Sequence, residues 1–445
     1  MRLLFRGGTV VSGRRAREAD LVTDGEKIYA VEGMYRGKFD RAVNVTGCLL
    51  FPGFVDAQTG FDTEERGAVS ADDFYTGSRA ALRGGTTTVL NDAAPNPGEA
   101  PRDTLSRWHA KADGQTFCDY GFHVGLTAWG DAAGELFAGG VSSFLLSTGE
   151  TADRDFYEAL RGLYARGGIC AVTCGNPGVS AALAAEAEYP DTHPAALEAE
   201  GVARALRLAQ TARVPVVLRA LSGAEALSEV ARARRRGQTV YAETCPHYLT
   251  LDESLYEQDA AALYACAPPL RDADSRRVLW QALRRGEIQV VASGHRAFTA
   301  VQKQSGRDIP LGLPGAEERG ALVYSCGVAE HRLSVPGLCR VLCENPAKLY
   351  GLWPRKGSLS PGSDADIVVY DPGDSHLIRA RDAASAAGYT PYELFPTVGG
   401  IRQVWLRGTL VVDRGRILPV TPKGLYLRRG KSALISRSGT GVARR

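Results

Sequence analysis

Charged side chains stand at or just beyond the ends of several predicted strands, where they could take part in chemistry. Carboxylates can hold a divalent cation, and the planar fork of donors on an arginine can hold an anion. A buried arginine needs a carboxylate or another acceptor, because an unpaired buried charge is very costly. The candidate pocket residues are Asp56, Asp62, Asp92, Glu150, Arg219 and His295.

The histidines and cysteines form no recognised metal or nucleophile motif. None of the seven histidines belongs to an HxH or HExxH pattern, and the nine cysteines show no CxxC or paired zinc-finger spacing. We interpret His123 and His247 as structural. His295 is interpreted as a hydrogen-bonded structural histidine, with a pocket-facing role as the alternative. Cys174 follows a predicted strand, but no base can be assigned that would activate it as a nucleophile.

The segments that position these residues alternate between strand-like and helix-like sequence. Apolar runs are separated by stretches rich in Ala, Leu, Arg and Glu with helical spacing, such as 198–212 and 223–236. Repeated strand–helix units predict a parallel sheet, and eight of them predict a (β/α)8 barrel with its chemistry at the carboxyl ends of the strands. The predicted strands are 54–55, 87–90, 122–126, 143–146, 169–172, 214–218, 239–242 and 289–292.

The two ends of the chain consist of short strands broken by turns. Asp24-Gly25 is a hairpin signal before the alternating run 27–31, and the runs 365–370 and 404–412 have the same character. We predict that residues 1–51 and 354–420 form one small composite β-sandwich and that residues 52–353 form the barrel. Residues 421–445 form a basic C-terminal tail, with seven basic and no acidic residues. We predict that this tail packs on a neighbouring subunit or is partly disordered, with binding of an anionic partner as the alternative.

The overall composition argues against some classes of function. The chain has 53 Lys and Arg against 50 Asp and Glu, and this near balance gives no case for nucleic-acid or membrane binding. No 18-residue apolar run and no signal-peptide pattern occurs, and the scattered cysteines suit a reducing compartment. The sequence therefore predicts a soluble cytoplasmic protein that is long enough to bury a large core.

Six stretches resemble, in the same order, signatures of the dihydropyrimidinase and hydantoinase branch of the amidohydrolase superfamily. The first, residues 51–62, resembles the strand and metal-binding opening of that superfamily. The others are 72–87, 243–249, 268–271, 345–348 and 354–368. The resemblance covers most of the chain. It implies a TIM-like barrel that carries a small β-sandwich, in a homo-oligomer that is a dimer or a tetramer.

The resemblance also implies a metal centre whose ligands are replaced in this sequence. In active members, two divalent metals, usually zinc, are held by an HxH pair, a carbamylated lysine, two further histidines and an aspartate. A bridging hydroxide attacks the ring amide carbonyl, because a bound metal lowers the pKa of water from about 15.7 to about 7. The corresponding positions in this sequence are Gln58, Gly60, Leu145, Thr173, Arg219 and Gly294.

These replacements lead to a hypothesis about the emptied site. Leu145 can be neither carbamylated nor bound to a metal, and Arg219 is a fixed cation that would repel a divalent ion. We expect no metal cofactor, and we expect Arg219 to form a structural ion pair there or, alternatively, to bind an anionic ligand. Its candidate partners are Asp56, Asp62, Asp92 and Glu150.

Three functions are therefore open. The first is a non-catalytic relative of dihydropyrimidinase that acts as a structural, regulatory or ligand-binding subunit, with a paralogous active subunit as a natural partner. The second is an active cyclic-amide hydrolase with an atypical or metal-free site. The third is a small-anion binding protein that uses Arg219. Bound metal would separate the first two functions, and a ligand against Arg219 would favour the third.

Overall fold

The first seven strands contribute to two separate sheets. The computed structural model describes residues 1–304 and 309–435 of the chain. A four-stranded sheet has the order β5-β4-β1-β6, whereas β2, β3 and β7 join strands from the other end of the chain. The strands are β1 (Arg2–Arg6), β2 (Thr9–Val11), β3 (Ala16–Glu18), β4 (Asp20–Asp24), β5 (Lys27–Glu32), β6 (Arg41–Asn44) and β7 (Leu49–Pro52).

Eight parallel strands then form the predicted barrel, in the order β17-β16-β15-β14-β13-β12-β11-β8. The two end strands meet through irregular hydrogen bonds: Gly294 N–H donates to Gln58 O (3.1 Å) and Gly60 N–H donates to His295 O (2.7 Å). The strands are β8 (Phe54–Thr59), β11 (Thr86–Ala93), β12 (Asp119–Gly125), β13 (Ser143–Ser147), β14 (Ile169–Thr173), β15 (Val216–Leu218), β16 (Val240–Thr244) and β17 (Val290–Val291), with a small hairpin of β9 (Glu64–Glu65) and β10 (Ala68–Val69) after β8.

Helices connect the barrel strands and cover their outer faces. Side-chain caps mark where several of them begin, such as Asp73, which accepts from Thr76 N–H, and Asp272, which accepts from Ser275 N–H. The helices are α1 (Phe74–Arg83), α2 (Pro101–Ala112), α3 (Asp131–Ala138), α4 (Asp153–Tyr164), α5 (Pro177–Leu183), α6 (Ala195–Ala212), α7 (Ala224–Arg235), α8 (Pro246–Thr250), α9 (Ala273–Arg284), α10 (Arg319–Val323), α11 (Val335–Cys339) and α12 (Asn345–Leu349).

The last four strands complete a seven-stranded sheet with the order β21-β20-β19-β18-β7-β2-β3. Residues of both sheets share one core, in which the Phe5 ring packs edge-on against Trp405 at 5.1 Å. The strands are β18 (Ile367–Leu377), β19 (Pro396–Leu406), β20 (Thr409–Asp413) and β21 (Arg416–Ile417). The predicted fold class, a (β/α)8 barrel with a small sheet domain built from both ends of the chain, is therefore confirmed.

A buried ion cluster joins the barrel to the sheet domain. Lys356 Nζ lies 2.6 Å from Asp119 Oδ2 on β12, 2.7 Å from Asp366 Oδ2 and 3.0 Å from Asp364 Oδ2. Burial lowers the pKa of the Lys356 ammonium, but the charges of the three carboxylates outweigh this effect and raise the pKa above its ordinary value. The lysine thus holds three carboxylates from both parts of the fold.

The segment from Thr421 to Ile435 packs along the barrel. Tyr120 N–H donates to Leu425 O (3.0 Å), and Leu427 N–H donates to Tyr120 O (2.7 Å). Arg429 of this segment is 4% exposed. Residues 436–445 of the predicted tail lie outside the described residues. In the part of the chain that the structure describes, no helix combines the length and apolarity needed to cross a membrane.

Candidate functional site at the barrel mouth

Arg219 crosses the mouth of the barrel at the carboxyl ends of its strands. It follows β15 directly, and its side chain is 1% exposed. Nη2 and Nη1 lie 3.0 and 3.3 Å from the carboxylate oxygens of Asp92 on β11, and Nε lies 3.3 Å from Glu243 Oε1 on β16. Nη2 also donates to Ala57 O of β8 at 3.4 Å. One guanidinium, placed at the end of β15, therefore bonds to groups on three further strands, β8, β11 and β16.

Burial sets the charge states around Arg219. Burial alone lowers the pKa of Arg219, but the charges of Asp92 and Glu243 outweigh it and raise the pKa above its ordinary value. Burial raises the pKa of Glu243 to about 7, against the charge of Arg219 and a hydrogen bond donated by Tyr350 Oη at 3.1 Å. Arg219 is thus a fixed cation, with Asp92 as its closer counter-ion and Glu243 as a carboxyl group that titrates near neutral pH.

A second polar layer, next to Arg219, contains His123. Its Nε2 lies 3.0 Å from Ala57 O, the carbonyl that also accepts from Arg219, and its Nδ1 lies 2.7 Å from Ser143 Oγ. Because a carbonyl can only accept, Nε2 carries the proton and the Ser143 hydroxyl donates to Nδ1. Burial lowers the pKa of His123 far below its ordinary value, with further help from the charges of Arg219 and Arg429. His123 is neutral here, and both of its ring nitrogens are engaged.

His295 faces Asp72 at the start of α1. Its Nδ1 accepts from the N–H groups of Gly315 and Ala316, both at 3.2 Å, so the ring proton is on Nε2. Nε2 lies 3.0 Å from Asp72 Oδ2, in a contact too bent for a good hydrogen bond. Burial raises the pKa of Asp72, but the interactions with His295 outweigh this and bring it below the ordinary value. His295 therefore links β17 to α1 and does not contact Arg219.

The other predicted carboxylates lie away from Arg219. Asp56 is fully buried, accepts from Ser293 N–H at 2.9 Å, and lies 3.7 Å from the buried Arg319. Asp62 accepts from Phe74 N–H at 3.1 Å, at the start of α1, and Glu150 is exposed. Of the four candidate partners, the structure brings only Asp92 to Arg219.

The match to a protein family covers the whole barrel and part of the sheet domain. A model of the amidohydrolase family matches residues 49–411. This chain belongs to the amidohydrolase family. The matched range includes every barrel strand and the Arg219 cluster, which consists of Arg219, Asp92, Glu243 and Tyr350.

Relatives place the chain within one branch of the family. It is 33% identical over 457 residues to the D-hydantoinase of Geobacillus stearothermophilus, with 97% of each chain covered. It is 34% identical over 453 residues to the D-phenylhydantoinase of Escherichia coli O7:K1 (strain IAI39 / ExPEC), with 96% of this chain and 98% of the relative covered. The crystal structure of the dihydropyrimidinase from Brevibacillus agri NCHU1002 has a TM-score of 0.94 at 32% identity, covering 97% of this chain and 99% of that chain. The chain belongs to the hydantoinase and dihydropyrimidinase branch.

Three of the positions at which the resemblance implies metal ligands carry a side chain that is a weak metal ligand or has no donor atom. Leu145 packs, partly buried, against the apolar interior of the barrel, which includes Ala171 and Val217. Thr173 is exposed at the end of β14. Gln58 Oε1 is buried and has no hydrogen-bond partner among residues 1–304 and 309–435. An amide oxygen of this kind is a weak ligand in comparison with an imidazole or a carboxylate.

Two further positions are glycines with little room for a side chain. A Cβ at Gly294 would lie 2.9 Å from Cys245 Sγ and 3.2 Å from His247 Cε1, and the φ of Gly294 is +62°. A Cβ at Gly60 would lie 3.1 Å from Thr63 Oγ1. Neighbouring side chains therefore occupy the space that an aspartate at 294 or a histidine at 60 would need.

Glu243 and Tyr350 belong to the Arg219 cluster but are absent from the sequence-based candidates. Glu243 begins the family-like stretch 243–249 and directly follows the predicted strand 239–242, so its position just beyond a strand end was the available signal. Tyr350 follows the family-like stretch 345–348, and only the folded chain brings its hydroxyl to Glu243. Long-range partners of this kind depend on strand order and not on local sequence.

The remaining chemistry-bearing residues are buried. Burial raises the pKa of the Cys174 thiol and lowers the pKa of His247 to about 3. All nine cysteines are free and buried. Across the described residues, no group of three or more His, Cys, Asp and Glu side chains has an arrangement that could hold a metal ion.

Proposed function

We propose that this chain is a non-hydrolytic member of the hydantoinase and dihydropyrimidinase branch and acts as a structural, regulatory or ligand-binding subunit. The observation that carries the proposal is the Arg219 cluster. A guanidinium that is 1% exposed and paired with Asp92 and Glu243 lies where the resemblance implies a metal ligand. A fixed cation among the strand ends repels a divalent ion and is itself expensive to leave without its carboxylates.

The residues present do not fit a two-zinc centre. Such a centre needs imidazole, carboxylate or carbamate donors at about 2 Å from each ion. Leu145 has no donor atom, the Arg219 cation is occupied by carboxylates, and Gly60 and Gly294 lack side chains. Without a metal, water keeps its pKa near 15.7 and is a poor nucleophile at neutral pH. The proposal therefore includes no metal-dependent hydrolysis.

Binding of a small anion by Arg219 is less well supported. The guanidinium already donates to Asp92, Glu243 and Ala57 O, and its side chain is almost fully buried. An anion at this position would have to displace a carboxylate that is covalently part of the barrel. The structure thus supports Arg219 as a structural cation, as the ion-pair hypothesis proposes.

The test is a hydrolysis assay on dihydrouracil, hydantoin and dihydroorotate with the purified full chain, before and after incubation with zinc. The D-hydantoinase of Geobacillus stearothermophilus, purified and treated in the same way, is the positive control on hydantoin. We expect no turnover above the uncatalysed rate for this chain under either condition. Turnover that follows added zinc would contradict the proposal and support an active hydrolase with an atypical site.

We also infer a homo-oligomer, dimer or tetramer, in the cytoplasm. The nine free buried cysteines support a reducing compartment. Light scattering after size exclusion gives the mass of the assembly, to be compared with 47.5 kDa for one chain. Purification from the native host would show whether a paralogous active chain accompanies it, and a monomer with no companion would contradict the role of a subunit.

A further inference from the structure

A cavity of about 1160 Å³ lies outside the barrel, between α1 and the seven-stranded sheet. Its walls are the C-terminal half of α1, the segment 317–321, parts of β18 and β19, the segment 377–384 and the turn between β20 and β21. Asp92, Arg219 and Glu243 do not line it. Small-molecule sites occupy about 300–1,000 Å³, so this cavity has room for a ligand of nucleotide size with some water.

Arginines from several segments converge on this cavity. Among the described residues, only Arg83 of this set forms an ion pair, with Glu317 Oε1 at 2.9 Å. The others instead contact neutral groups or solvent: the Arg79 guanidinium lies 5.5 Å from the centre of the Tyr75 ring, and Arg402 Nη1 donates to Cys48 Sγ at 3.6 Å. The six arginines are Arg79, Arg83, Arg379, Arg402, Arg414 and Arg416.

The backbone fixes part of this cationic wall. Arg414 N–H donates to Arg402 O at 2.7 Å, so the end of β20 is attached to β19 at the point where both arginines emerge. Arg414 has a φ of +48° within the tight turn that leads to Arg416. The positively charged side chains of Arg402 and Arg414 repel one another, and a multiply charged anion between them would offset that repulsion.

Carboxylates also line the cavity, but they are fewer than the arginines. Glu317 pairs with Arg83 and accepts from Ala384 N–H at 2.8 Å. Burial raises the pKa of Glu318 to about 8, so this carboxyl group is mostly protonated at neutral pH. Asp371 and Asp374 on β18 accept hydrogen bonds from their own turn, at 2.9 Å each, and Asp382 is exposed. Five carboxyl groups therefore face six arginines, and the arginines are only partly neutralised.

We propose that this cavity binds a small polyanion that carries two or more phosphate or carboxylate groups, held by Arg79, Arg402, Arg414 and Arg416. Arginine presents paired donors that match the oxygens of either group, and such charge-assisted contacts are stronger than neutral hydrogen bonds. The site is separate from the barrel mouth and does not depend on whether the barrel hydrolyses anything. A subunit without its own turnover could use such a site to sense a charged metabolite.

The test is isothermal titration of the full chain with tripolyphosphate and, separately, with citrate, at low and at physiological ionic strength. The variant R402Q/R416Q removes two cations from the wall, and R235Q/R236Q removes two exposed cations from the end of α7 as a control for net charge. We expect saturable binding of at least one probe, weakened about tenfold or more in R402Q/R416Q and unchanged in R235Q/R236Q. The preferred probe then distinguishes phosphate from carboxylate chemistry.

Three results would overturn the proposal. One is that neither probe binds at low ionic strength. Another is that both variants lose affinity equally, which would mean general attraction to net charge. The third is that R402Q/R416Q changes the mass of the assembly in solution, which would make the cavity a contact between two copies of the chain. Urea unfolding of each variant checks that the fold is kept.

Discussion

Replacing Arg219 with methionine should destabilise the protein by an amount that grows with pH. The substitution leaves Asp92 and Glu243 facing each other without their shared cation. Removing one partner of a buried ion pair costs about 3–5 kcal/mol when the other partner stays charged. Glu243 has a pKa of about 7, so in the folded wild type it is mostly protonated at pH 5 and mostly ionised at pH 8.

The sign of the pH dependence follows from Glu243. Its folded pKa of about 7 exceeds the unfolded value of 4.5, so the folded state binds the proton more tightly. The contribution of Glu243 to the unfolding free energy is therefore fully present below pH 4.5 and is lost, by about 3 kcal/mol, as pH rises through 7. In R219M the pKa of Glu243 rises further, because the charge that opposed the effect of burial is gone, and the fall extends to higher pH.

The assay is urea unfolding at pH 5 and pH 8, with midpoints and slopes compared between variants. We expect R219M to lose about 1–2 kcal/mol at pH 5, where mainly the Asp92 contact is lost, and about 3–5 kcal/mol at pH 8. R219K keeps the charge and should lose less at both pH values. R154M removes an exposed arginine that pairs with Glu158 on α4, and it should change nothing measurable. If R219M lost the same unfolding free energy at both pH values, or lost none, the roles given to Arg219 and Glu243 would be wrong.

Three further substitutions test other buried positions, each by urea unfolding against a matched control. G294A should lower the unfolding free energy by about 2–4 kcal/mol, because the φ of Gly294 is +62° and the new Cβ meets Cys245 Sγ. Its control G237A has a φ of +81° and open space around the new Cβ, and it should cost only about 1 kcal/mol. R429A should lower the unfolding free energy by about 2–4 kcal/mol and expose the C-terminal segment to protease, because the buried Arg429 side chain donates to Ser143 Oγ. Its control R428A, at the exposed neighbour, should leave both the unfolding free energy and the protease resistance unchanged. K356M should cost about 3–5 kcal/mol by removing the buried ammonium that Asp119, Asp364 and Asp366 share, and K27M, at a half-exposed lysine on the same Asp364, should cost clearly less. If a variant and its control lost the same unfolding free energy, burial of the substituted residue would not explain the loss in that pair.

The barrel could be predicted from sequence because its signals are local. All eight predicted strands are present, although the last is shorter than predicted, with only Val290–Val291 in regular pairing. Alternation of apolar runs with helical spacing fixes the order of strands and helices, and the family-like stretches point to the same scaffold. The Ser293–His295 stretch leaves regular pairing because it closes the barrel through single hydrogen bonds to β8.

The site could be predicted only in part. Strand-end position was enough to suggest Arg219 and Asp92, which meet across the barrel. The same criterion also selected Asp56, which instead lies beside Arg319, a residue from a segment with no strand signal. Ion pairs depend on which strands are opposite each other and on where later segments return, and neither is encoded in the spacing around a single residue. The insertion of Arg429 from the C-terminal segment is another contact of this kind.

The most direct test of the central claim is elemental analysis of the purified full chain after growth and dialysis with zinc. We propose that the Arg219 ion pairs close the barrel mouth and that it holds no metal. We expect less than about one tenth of a zinc ion per chain, against the one or two ions expected for a catalytic centre. The variant R219H should give the same low value, because one histidine does not supply the other missing ligands. One or two zinc ions per wild-type chain, together with turnover of hydantoin or dihydrouracil, would contradict a metal-free barrel mouth and make His123, His247 and His295 the residues to mutate.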